Sequence, residues 1–549
     1  MILPFATLHT VSYRLARAAA RFALLLVGLC CGVASFAVDT SPVAATVQPS
    51  TLPANWQRGA FMEVFVRAYK DSDGDGVGDL KGLTQQLDYL KDLGIKGIWL
   101  MPVTTNADGD HGYATTDFRG IDPAYGSLED FDELLRQAHA RGIGVVMDYV
   151  INHSARHHPM FISALKDGAA SPFYDWFVWE KDAPQGWDIW GKNPWTPTHH
   201  GHYFGTFGKH MPDFNFKSPV VLAYHQDSLR FWLNRGLDGF RLDAVPHLVE
   251  NNAKDWNDQP ESHRITSELR ALITAYPQRY VVCEATANPQ TYAAPDLCGS
   301  AFAFGLEKHL GQATKGDKKS IQAVADYFKT APQSMATFAS NHDIFAGKRL
   351  WDQVKGNTAQ YKLAAASYLL LPGTPFIYYG EEIGMAGLKE TKEVDGDLPI
   401  RAPMSWTADP ERGGFTSGTP FRAVAPNAKQ QNVAAEVASP TSIHAFYKRM
   451  LKLRNTYPSL ASGSYVGPFV QGKALGFQRT LGSETTLVVI NYATRPANVR
   501  VSALPPRAQL THAKGGRIAP VQANAQGFAS VTLPAQSVQV FAVSVPSNP

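Results

Sequence analysis

The sequence has few cysteines and almost no net charge, and each shortage excludes a class of protein. Only 4 of the 549 residues are cysteine, too few for a fold held together mainly by disulfides. Two of them, Cys30 and Cys31, lie in an N-terminal segment that we expect to be removed. For the other two, Cys283 and Cys298, an oxidising compartment permits a disulfide, and a pair of free buried thiols is the alternative.

Charge of one sign is also lacking. The chain has 51 basic and 48 acidic residues, a net charge of +3. Its folded part contains no basic block, so nothing indicates a nucleic-acid partner. Hydrophobic residues are plentiful, and their 44% share can support a large core. At roughly 150 residues per domain, the length indicates two to four domains.

The N-terminus has the pattern of an export signal. Three arginines, the last at Arg21, precede an apolar run over residues 22–33, and small residues end at Ala37. The run is shorter than the ~20 apolar residues of a spanning helix. We therefore predict a signal peptide over residues 1–37, a periplasmic or extracellular mature protein, and no stable membrane association after cleavage.

After a Thr-, Pro- and Ala-rich leader over residues 38–55, predicted to be disordered, strand and helix patterns alternate. Each strand candidate is apolar throughout, as parallel strands covered by helices are. The candidates begin at residues 61, 97, 143, 240, 280, 301, 335 and 375. Eight such units predict an α/β fold, a closed (β/α)8 TIM barrel with its active site at the C-terminal ends of the strands. An open doubly wound sheet is the alternative.

Helices are predicted where apolar residues recur at a 3.6-residue period behind a capping residue. Asp79 is predicted to cap a single helix with a leucine stripe ending at Leu93, and the first strand is predicted over residues 61–69. The other helices are predicted over residues 127–140, 219–234, 265–276, 321–329, 359–371 and 442–455.

The barrel pattern is interrupted once and then stops. Residues 152–216 are too long for an ordinary loop and are predicted to be an inserted, loop-rich domain between two parts of the barrel, residues 56–151 and 217–456. Residues 457–549 have short alternating strands and predict a C-terminal antiparallel β domain. Five tryptophans of the insertion can stack on sugar rings or form a small core, and we expect both: Trp176, Trp179, Trp187, Trp190 and Trp195.

The fourth strand candidate carries two opposite charges. Arg241 and Asp243 are two residues apart and share one face of a strand. One interpretation is a structural ion pair. The other is a carboxylate held ionised by the guanidinium so that it can attack as a nucleophile.

Further polar residues follow other strands and would meet on the same rim of a barrel. They lie in the segments 148–153, 211–215, 283–285 and 340–343. Together with Asp243, the carboxylates of Glu284 and Asp343 match the needs of glycosidic bond cleavage, which uses a nucleophile, a protonated acid and a further charge. Crowding by the other carboxylates would favour the protonated form of Glu284.

From about Phe61 onward, these motifs and their order resemble the α-amylase family of retaining glycoside hydrolases. The resemblance implies that Asp243 is the nucleophile, Glu284 the general acid and then base, and Asp343 the transition-state stabiliser. It implies an α-glucan or maltooligosaccharide as the substrate. The substrate-binding residues that it implies are Asp110, His111, Tyr113, His153, Arg241, His247, His342 and Arg401.

An acidic loop over residues 71–79 follows the first strand and offers hard oxygen ligands at alternate positions, as Ca²⁺ prefers. An EF-hand would need Glu where Gly82 stands, and a solvated acidic turn is a further alternative. Several branches of the family have such a loop, and the resemblance is to a branch between oligo-1,6-glucosidase-like enzymes and α-amylases. The predicted ligands of a structural Ca²⁺ are Asp71, Asp73, Asp75, the carbonyl of Val77, and Asp79.

The small Ala244 after Asp243 is similar to family members that act on α-1,4 bonds. Asp110 and the segment 401–406 are similar to exo-acting α-glucosidases, whereas the segment 211–215 is similar to an intermediate group. The resemblance therefore implies a secreted α-amylase that hydrolyses α-1,4-glucosidic bonds of starch and maltodextrins. The alternatives are an exported exo-acting α-glucosidase or transglucosylase and, in another class, a catalytically silent glucan- or calcium-binding protein.

Overall fold

The computed structural model describes residues 38–513 and 519–545, so the predicted signal peptide lies outside the described residues. The chain divides into two compact units, Met1–Thr40 and Ser41–Pro549. Only residues 38–40 of the first unit are described, and they form no helix or strand. The remaining description concerns the second unit.

The centre of that unit is a parallel sheet. Its seven strands in chain order are β1 (Phe61–Val64), β2 (Gly97–Leu100), β3 (Gly144–Tyr149), β4 (Gly239–Leu242), β5 (Tyr280–Cys283), β6 (Ala336–Thr337) and β7 (Thr374–Tyr378). In space the strands follow the order β5, β4, β3, β2, β1, β7, β6. Every neighbouring pair in that order is parallel.

Two single bridges close this sheet into a barrel. Ala301 pairs with Cys283 of β5, and Phe302 pairs with Ala336 of β6. The predicted sixth strand therefore exists only as these two residues, because the chain turns into the helix Leu306–Thr314 directly afterwards. The (β/α)8 prediction is confirmed, and the doubly wound alternative is wrong.

The barrel interior is filled by large apolar side chains. Phe61 and Phe376 stack at 4.8 Å between ring centroids in the middle of it. Because side chains alternate across a strand, Glu63 lies on the same face as Phe61, two residues nearer the C-terminal rim. The interior cluster also contains Trp99, Val146, Tyr280, Val282, Phe302, Ala336 and Phe338.

Two predicted elements near the N-terminus are wrong. The strand from Phe61 ends at Val64, and a helical turn, Val66–Tyr69, follows where more strand was expected. The leucine stripe is divided at Gln86 into the helices Leu80–Gln85 and Leu87–Leu93, because two backbone carbonyls accept from the Gln86 N–H and close the first helix.

The other helices follow the predicted order, and the helix predicted from residue 265 starts earlier, at Pro260, whose ring suits a first helical position. No helix among the described residues is long and apolar enough to cross a membrane. The helices are Leu128–Ala140, Pro159–Asp167, Pro219–Asn234, Pro260–Thr274, Pro289–Tyr292, Leu306–Thr314, Lys318–Thr330, Leu350–Gln353, Thr358–Leu370, Val433–Ala438, Ile443–Thr456 and Pro458–Ser462.

The segment after β3 and the C-terminal part form separate antiparallel sheets, as predicted. Within residues 152–216, the strand Gly201–Phe204 pairs with Trp179–Glu180 on one side and Trp195–Thr198 on the other. A hairpin, Thr104–Asn106 with Thr115–Ile121, follows β2. The C-terminal strands are Ser464–Gln471, Ala474–Leu481, Glu484–Asn491, Ala497–Val501, Gln509–His512, Val521–Gln522, Ala529–Leu533 and Ser537–Ser544.

The leader is more ordered than expected. Although residues 41–55 form no helix or strand, the backbone N–H of Val43 donates to Asp227 at 3.1 Å and that of Thr46 donates to Asn234 at 2.8 Å. Leu52 is buried. The prediction of disorder is wrong here because composition alone does not reveal acceptors on the distant helix Pro219–Asn234.

Candidate active site

Three carboxylates enter one cavity from the C-terminal ends of the barrel strands. Asp243 directly follows β4, Glu284 directly follows β5, and Asp343 follows β6. All three line a cavity of about 720 Å³, within the size range of small-ligand sites. Sequence positions 100 residues apart are thereby brought to one place, as the strand pattern predicted.

Arg241 is the centre of the charged network. Its side chain is 2% exposed, and its guanidinium contacts Asp148 at 2.9 Å and Glu284 at 2.9 Å. It also forms a very short ion pair with Asp243. The interpretation as an isolated structural ion pair is therefore too simple, since one guanidinium joins three carboxylates.

Asp243 and Glu284 lie side by side on the Arg241 guanidinium. Burial raises the pKa of the Asp243 carboxyl well above its usual range, Arg241 acts against this shift, and Glu284 adds to it. We had expected Arg241 to decide the charge of Asp243, but burial outweighs it. The backbone N–H of Ala244 donates to Glu284 at 3.0 Å. The Glu284 carboxylate thus contacts both the Ala244 backbone amide and the Arg241 guanidinium.

Asp343 has two cationic or donor neighbours. Its carboxylate lies 3.2 Å from Nε2 of His342 and 3.4 Å from the guanidinium of Arg401. Burial and Glu284 raise the pKa of Asp343 to about 7, although Arg401 lowers it. The carboxyl is thus poised to titrate near neutrality.

Tyr113 forms one wall of the cavity. Its ring stacks on that of His342 with centroids 5.5 Å apart and an interplanar angle of 15°. Its hydroxyl donates to Asp148 at 2.8 Å and lies 2.8 Å from Nε2 of His342. Burial, opposed chiefly by Arg241, raises the pKa of Asp148 to about 6. Tyr113 therefore links the surroundings of Asp343 to those of Asp243.

On the Asp343 side, the site ends in charged residues that we call the ionic end: Asp110, Asp397, Arg401 and Arg422. Asp110 contacts Arg401 at 3.3 Å and Arg422 at 2.6 Å. Arg401 also contacts Asp397 at 3.1 Å. Burial acts to raise the pKa of Asp110, but the two guanidinium groups outweigh it and hold the pKa below its usual range. Asp110 therefore remains charged.

On the Glu284 side, aromatic rings form what we call the aromatic end: Trp190, Phe207, His247 and Trp256. His247 stacks on Trp256 at 5.4 Å, and Trp190 meets Trp256 edge-on at 5.5 Å. Burial lowers the pKa of His247 to about 4 against the charge of Glu284, so the ring is neutral. Trp190 is 61% exposed and Phe207 36% exposed, so both offer free ring faces.

The tryptophans of the insertion lie in two kinds of surroundings, which confirms the predicted small core and leaves sugar stacking a prediction. Trp187 and Trp195 pack on Phe204 in a small core, and Trp179 stacks on Phe161. Trp190 is the most exposed of the five, and it lines the active-site cavity.

The other predicted substrate residues also lie at the cavity. His111 and His153 line it, and the His153 ring lies 5.1 Å from Phe207. Burial lowers the pKa of His153 to about 3, so it is neutral. The structure thus brings all eight predicted substrate residues to the cavity or to groups that line it.

The carboxylates of the acidic loop accept hydrogen bonds from backbone N–H groups of the same loop. Carboxylate oxygens of Asp71, Asp73 and Asp79 all lie within 4.8 Å of one another. Asp75 is exposed and accepts from the backbone N–H of Val77 at 2.7 Å, so its carboxylate is not part of this group. Burial acts to raise the pKa of Asp71, but hydrogen bonds from Thr416 and backbone amides hold it below its usual range. Carboxylate oxygens of three predicted ligands therefore converge, and oxygen donors of this kind suit Ca²⁺.

Several residues of the site were not predicted as site residues. Arg422 and Trp256 have no local signal, because each acts on a residue far away in sequence. Asp148 is the first residue of the segment 148–153, which was predicted to lie on the rim. Glu63 is a lone carboxylate in an apolar strand, and this unusual position could have identified it as a site residue. Cys283 and Cys298 form a disulfide directly beside Glu284.

Comparison with known proteins matches residues 63–463 to the family described as "Alpha amylase, catalytic domain". Alpha-amylase 3 of Dictyoglomus thermophilum is 34% identical over 449 residues, which cover 79% of this chain and 85% of that protein. A probable alpha-glucosidase of Rhizobium meliloti is 30% identical over 503 residues, covering 81% and 90%.

Among solved structures, the alpha-amylase from H. orenii superimposes with a TM-score of 0.77 at 31% identity, covering 89% of this chain and all of that one. The relatives thus share one catalytic domain but differ in their named activities.

Proposed function

Because this chain belongs to the α-amylase family of glycoside hydrolases, we propose that it is a retaining hydrolase of α-1,4-glucosidic bonds in starch and maltooligosaccharides. The observation that supports this best is the placement of Asp243 and Glu284 on one guanidinium. An inverting enzyme needs space for a water molecule between one carboxylate and the sugar. Two carboxyl groups held by the same guanidinium are too close together to leave that space.

In the first step, a carboxylate oxygen of Asp243 attacks the anomeric carbon. The bond from that carbon to the glycosidic oxygen breaks, and Glu284 gives its proton to the departing oxygen. In the second step, Glu284 takes a proton from water, whose oxygen attacks the same carbon and releases Asp243. These steps require an ionised Asp243, which its ion pair with Arg241 favours, and a protonated Glu284 at the time of attack.

Asp343, Arg401 and His342 surround the position that the sugar would occupy in this mechanism. As the sugar ring gains positive charge, the Asp343 carboxylate stabilises it electrostatically. Tyr113 offers its ring face to the same sugar. The intact set of three carboxylates argues against a catalytically silent protein.

The test is Asp243→Asn, assayed for release of reducing sugar from maltoheptaose. We expect a loss on the order of 10⁴-fold with an unchanged unfolding midpoint. Asp132→Asn, at an exposed ion pair far from the site, is the control and should keep full activity. Hydrolysis at the wild-type rate by Asp243→Asn would refute the assignment.

Exo action is the second candidate, and the ionic end favours it. Asp110, fixed by Arg401 and Arg422, is placed to bind hydroxyl groups of a terminal sugar beyond Asp343. By contrast, the exposed rings of the aromatic end can accept glucose units of a longer leaving group. Maltoheptaose blocked at its non-reducing end separates the two candidates, since an exo enzyme cannot degrade it and an α-amylase can.

We further propose that the loop over residues 71–79 binds a structural Ca²⁺ through Asp71, Asp73 and Asp79, with the Val77 carbonyl and Asp75 as further candidates. The ion would offset the repulsion among these carboxylates. Export through the signal at residues 1–37 is a separate proposal. N-terminal sequencing of the secreted protein tests it, and a start at Val38 is expected.

A further inference from the structure

One buried carboxyl group of the barrel is not used by this mechanism. Glu63 lies on β1 and is 1% exposed. Its Oε1 lies 2.6 Å from Nδ1 of His342 and accepts from the backbone N–H of the same residue at 3.3 Å. A carboxyl in an apolar strand is costly unless it has a partner, and here both contacts are made to one residue of the active site.

The hydrogen bonds on the far side of His342 determine where its protons are. Tyr113 has one hydroxyl proton, and it donates this proton to Asp148 at 2.8 Å. Asp148 itself accepts from Arg241 at 2.9 Å and from Trp99 at 3.2 Å. The Tyr113 oxygen therefore has only acceptor capacity left. Since Nε2 of His342 lies 2.8 Å from that oxygen, Nε2 must carry a hydrogen.

The contact between Nδ1 and Glu63 must also contain a hydrogen, because two bare acceptors would repel at 2.6 Å. Either a neutral Glu63 donates to Nδ1, or a charged imidazolium donates to a carboxylate. Arg241 and Arg401 lie near His342 and disfavour a positive imidazole, while Asp343 and Asp148 disfavour a negative Glu63. Both side chains are almost fully buried, which disfavours charge on either.

We propose that Glu63 is a positioning residue that donates a hydrogen bond from its protonated carboxyl to Nδ1 of His342. It thereby holds the neutral imidazole in the tautomer whose Nε2–H points at Tyr113 and Asp343. This inference rests on the proposed function for its catalytic consequence. With a sugar bound, the same Nε2–H is the donor that faces Asp343 and the reacting ring.

The pKa directions agree with this arrangement. Burial raises the pKa of Glu63 well above its usual range, with Asp343 adding to the shift and Arg241 opposing it. Burial, with Arg401 and Arg241, lowers the pKa of His342 well below its usual range. The proton at the short contact therefore resides on Glu63.

Two substitutions separate positioning from simple packing. Glu63→Gln keeps a donor of the same length, because the amide N–H can replace the acid hydroxyl. Glu63→Met keeps the volume and removes the donor. We expect kcat on maltotriose to stay within about threefold in Glu63→Gln and to fall about 10- to 100-fold in Glu63→Met, with similar unfolding midpoints.

An equally large loss in Glu63→Gln would overturn the proposal in favour of a charged pair, since an amide cannot balance an imidazolium. Full activity in Glu63→Met would overturn it as well. In a His342→Asn background, Glu63→Met should cause no further loss if Glu63 acts through His342. Multiplying losses in the double variant would contradict this.

Nitrogen NMR of histidine-labelled wild-type protein tests the tautomer without any assay. We expect His342 to have a protonated Nε2 and an unprotonated, hydrogen-bonded Nδ1, and an imidazolium signal would overturn the proposal. This measurement also covers the case in which Glu63→Met does not fold. A protein with this signal but with equal, negligible activity in wild type and Asp243→Asn would refute the proposed function and leave the tautomer intact.

Discussion

The two ends of the cavity are built from opposite chemistry. The ionic end holds Asp110 between two guanidinium groups with little freedom, whereas the aromatic end displays Trp190 and Phe207 as exposed rings. Fixed hydrogen-bonding groups reject any ligand that leaves them unpaired. Ring faces tolerate many ligands, because stacking needs only an apolar sugar face. The two ends therefore differ in how strictly they would select a ligand, and the ionic end is the stricter one.

The backbone of the aromatic end also has a distinctive feature, a turn at Trp190. Trp190 and Gly191 form a tight two-residue turn in which Ile189 and Lys192 exchange both backbone hydrogen bonds, at 2.8 and 3.0 Å. Both turn residues have positive φ, 49° for Trp190 and 81° for Gly191. Such a turn favours Asn followed by Gly, so a tryptophan here costs stability that its exposed ring does not recover by burial. Strain of this kind is concentrated at functional sites.

Among changes at the two ends, removal of the Asp110 carboxylate from the ionic end should have the largest effect on kcat/KM. Asp110→Ala leaves Arg401 and Arg422 without their shared partner, and we expect kcat/KM on maltotriose to fall about 100-fold. Asp132→Ala removes an exposed partner of Arg235 and should leave the kinetics unchanged. A loss below about threefold in Asp110→Ala would show that both ends are equally permissive.

Acidity should act on Asp343, whose carboxyl lies beside Arg401 of the ionic end. The folded protein holds a proton on Asp343, whose pKa is raised to about 7 by burial and Glu284, whereas an unfolded aspartic acid releases it near pH 3.9. The group therefore stabilises the fold less and less as pH rises from about 4 to 7. Asp343→Asn should gain in unfolding midpoint relative to wild type, by roughly three degrees at pH 8 and by little at pH 4.

His247 at the aromatic end, with its pKa lowered to about 4, titrates in wild type and in Asp343→Asn alike, so its effect cancels in the comparison of the two proteins. Calorimetry at both pH values checks the prediction. An identical gain for Asp343→Asn at pH 4 and pH 8 would be evidence against a raised pKa.

A smaller effect should follow metal removal, because the acidic loop braces the ionic end. Asp71 contacts Thr416, and the backbone N–H of Phe421, next to Arg422, donates to the Gly76 carbonyl at 2.9 Å. We expect a chelator to lower the unfolding midpoint by roughly two degrees and to reduce kcat/KM. In Asp110→Ala, where the ionic end is already lost, the chelator should not reduce kcat/KM further.

Asp73→Asn provides the matched control for the metal. It should start with the lower midpoint and no longer respond to the chelator. A wild-type midpoint that is the same with and without chelator would contradict a structural Ca²⁺.

The smallest effect is expected at the aromatic end. Trp190→Asn completes the favoured Asn and Gly turn, so the unfolding midpoint should be unchanged or slightly higher while KM for maltoheptaose rises roughly fivefold. Trp190→Phe keeps a ring and should lose less affinity. A lower midpoint together with an unchanged KM in Trp190→Asn would mean that the ring serves the fold and not the substrate.

Much of the fold could be predicted from the sequence, because its signals are local. Apolar runs of strand length, helix caps and the long gap after Tyr149 predicted the barrel, the insertion and the C-terminal sheet. The errors occurred where contacts elsewhere in the fold overrode a local signal. The predicted sixth strand is reduced to Ala301 and Phe302, and the leader predicted to be disordered makes hydrogen bonds to the helix Pro219–Asn234. The length of a segment and the period of its apolar residues do not show which distant surface the segment will contact.

The chain by itself determined which chemistry was available: a carboxylate after each of three strands, an arginine two residues before one of them, and an acidic loop. Only the tertiary structure decided how these groups are paired and charged. Asp110 meets Arg422 across 312 residues, Glu63 meets His342 across 279, and burial outweighs Arg241 in its effect on the pKa of Asp243. Ion pairing and desolvation depend on distances and surroundings that exist only once the barrel is closed.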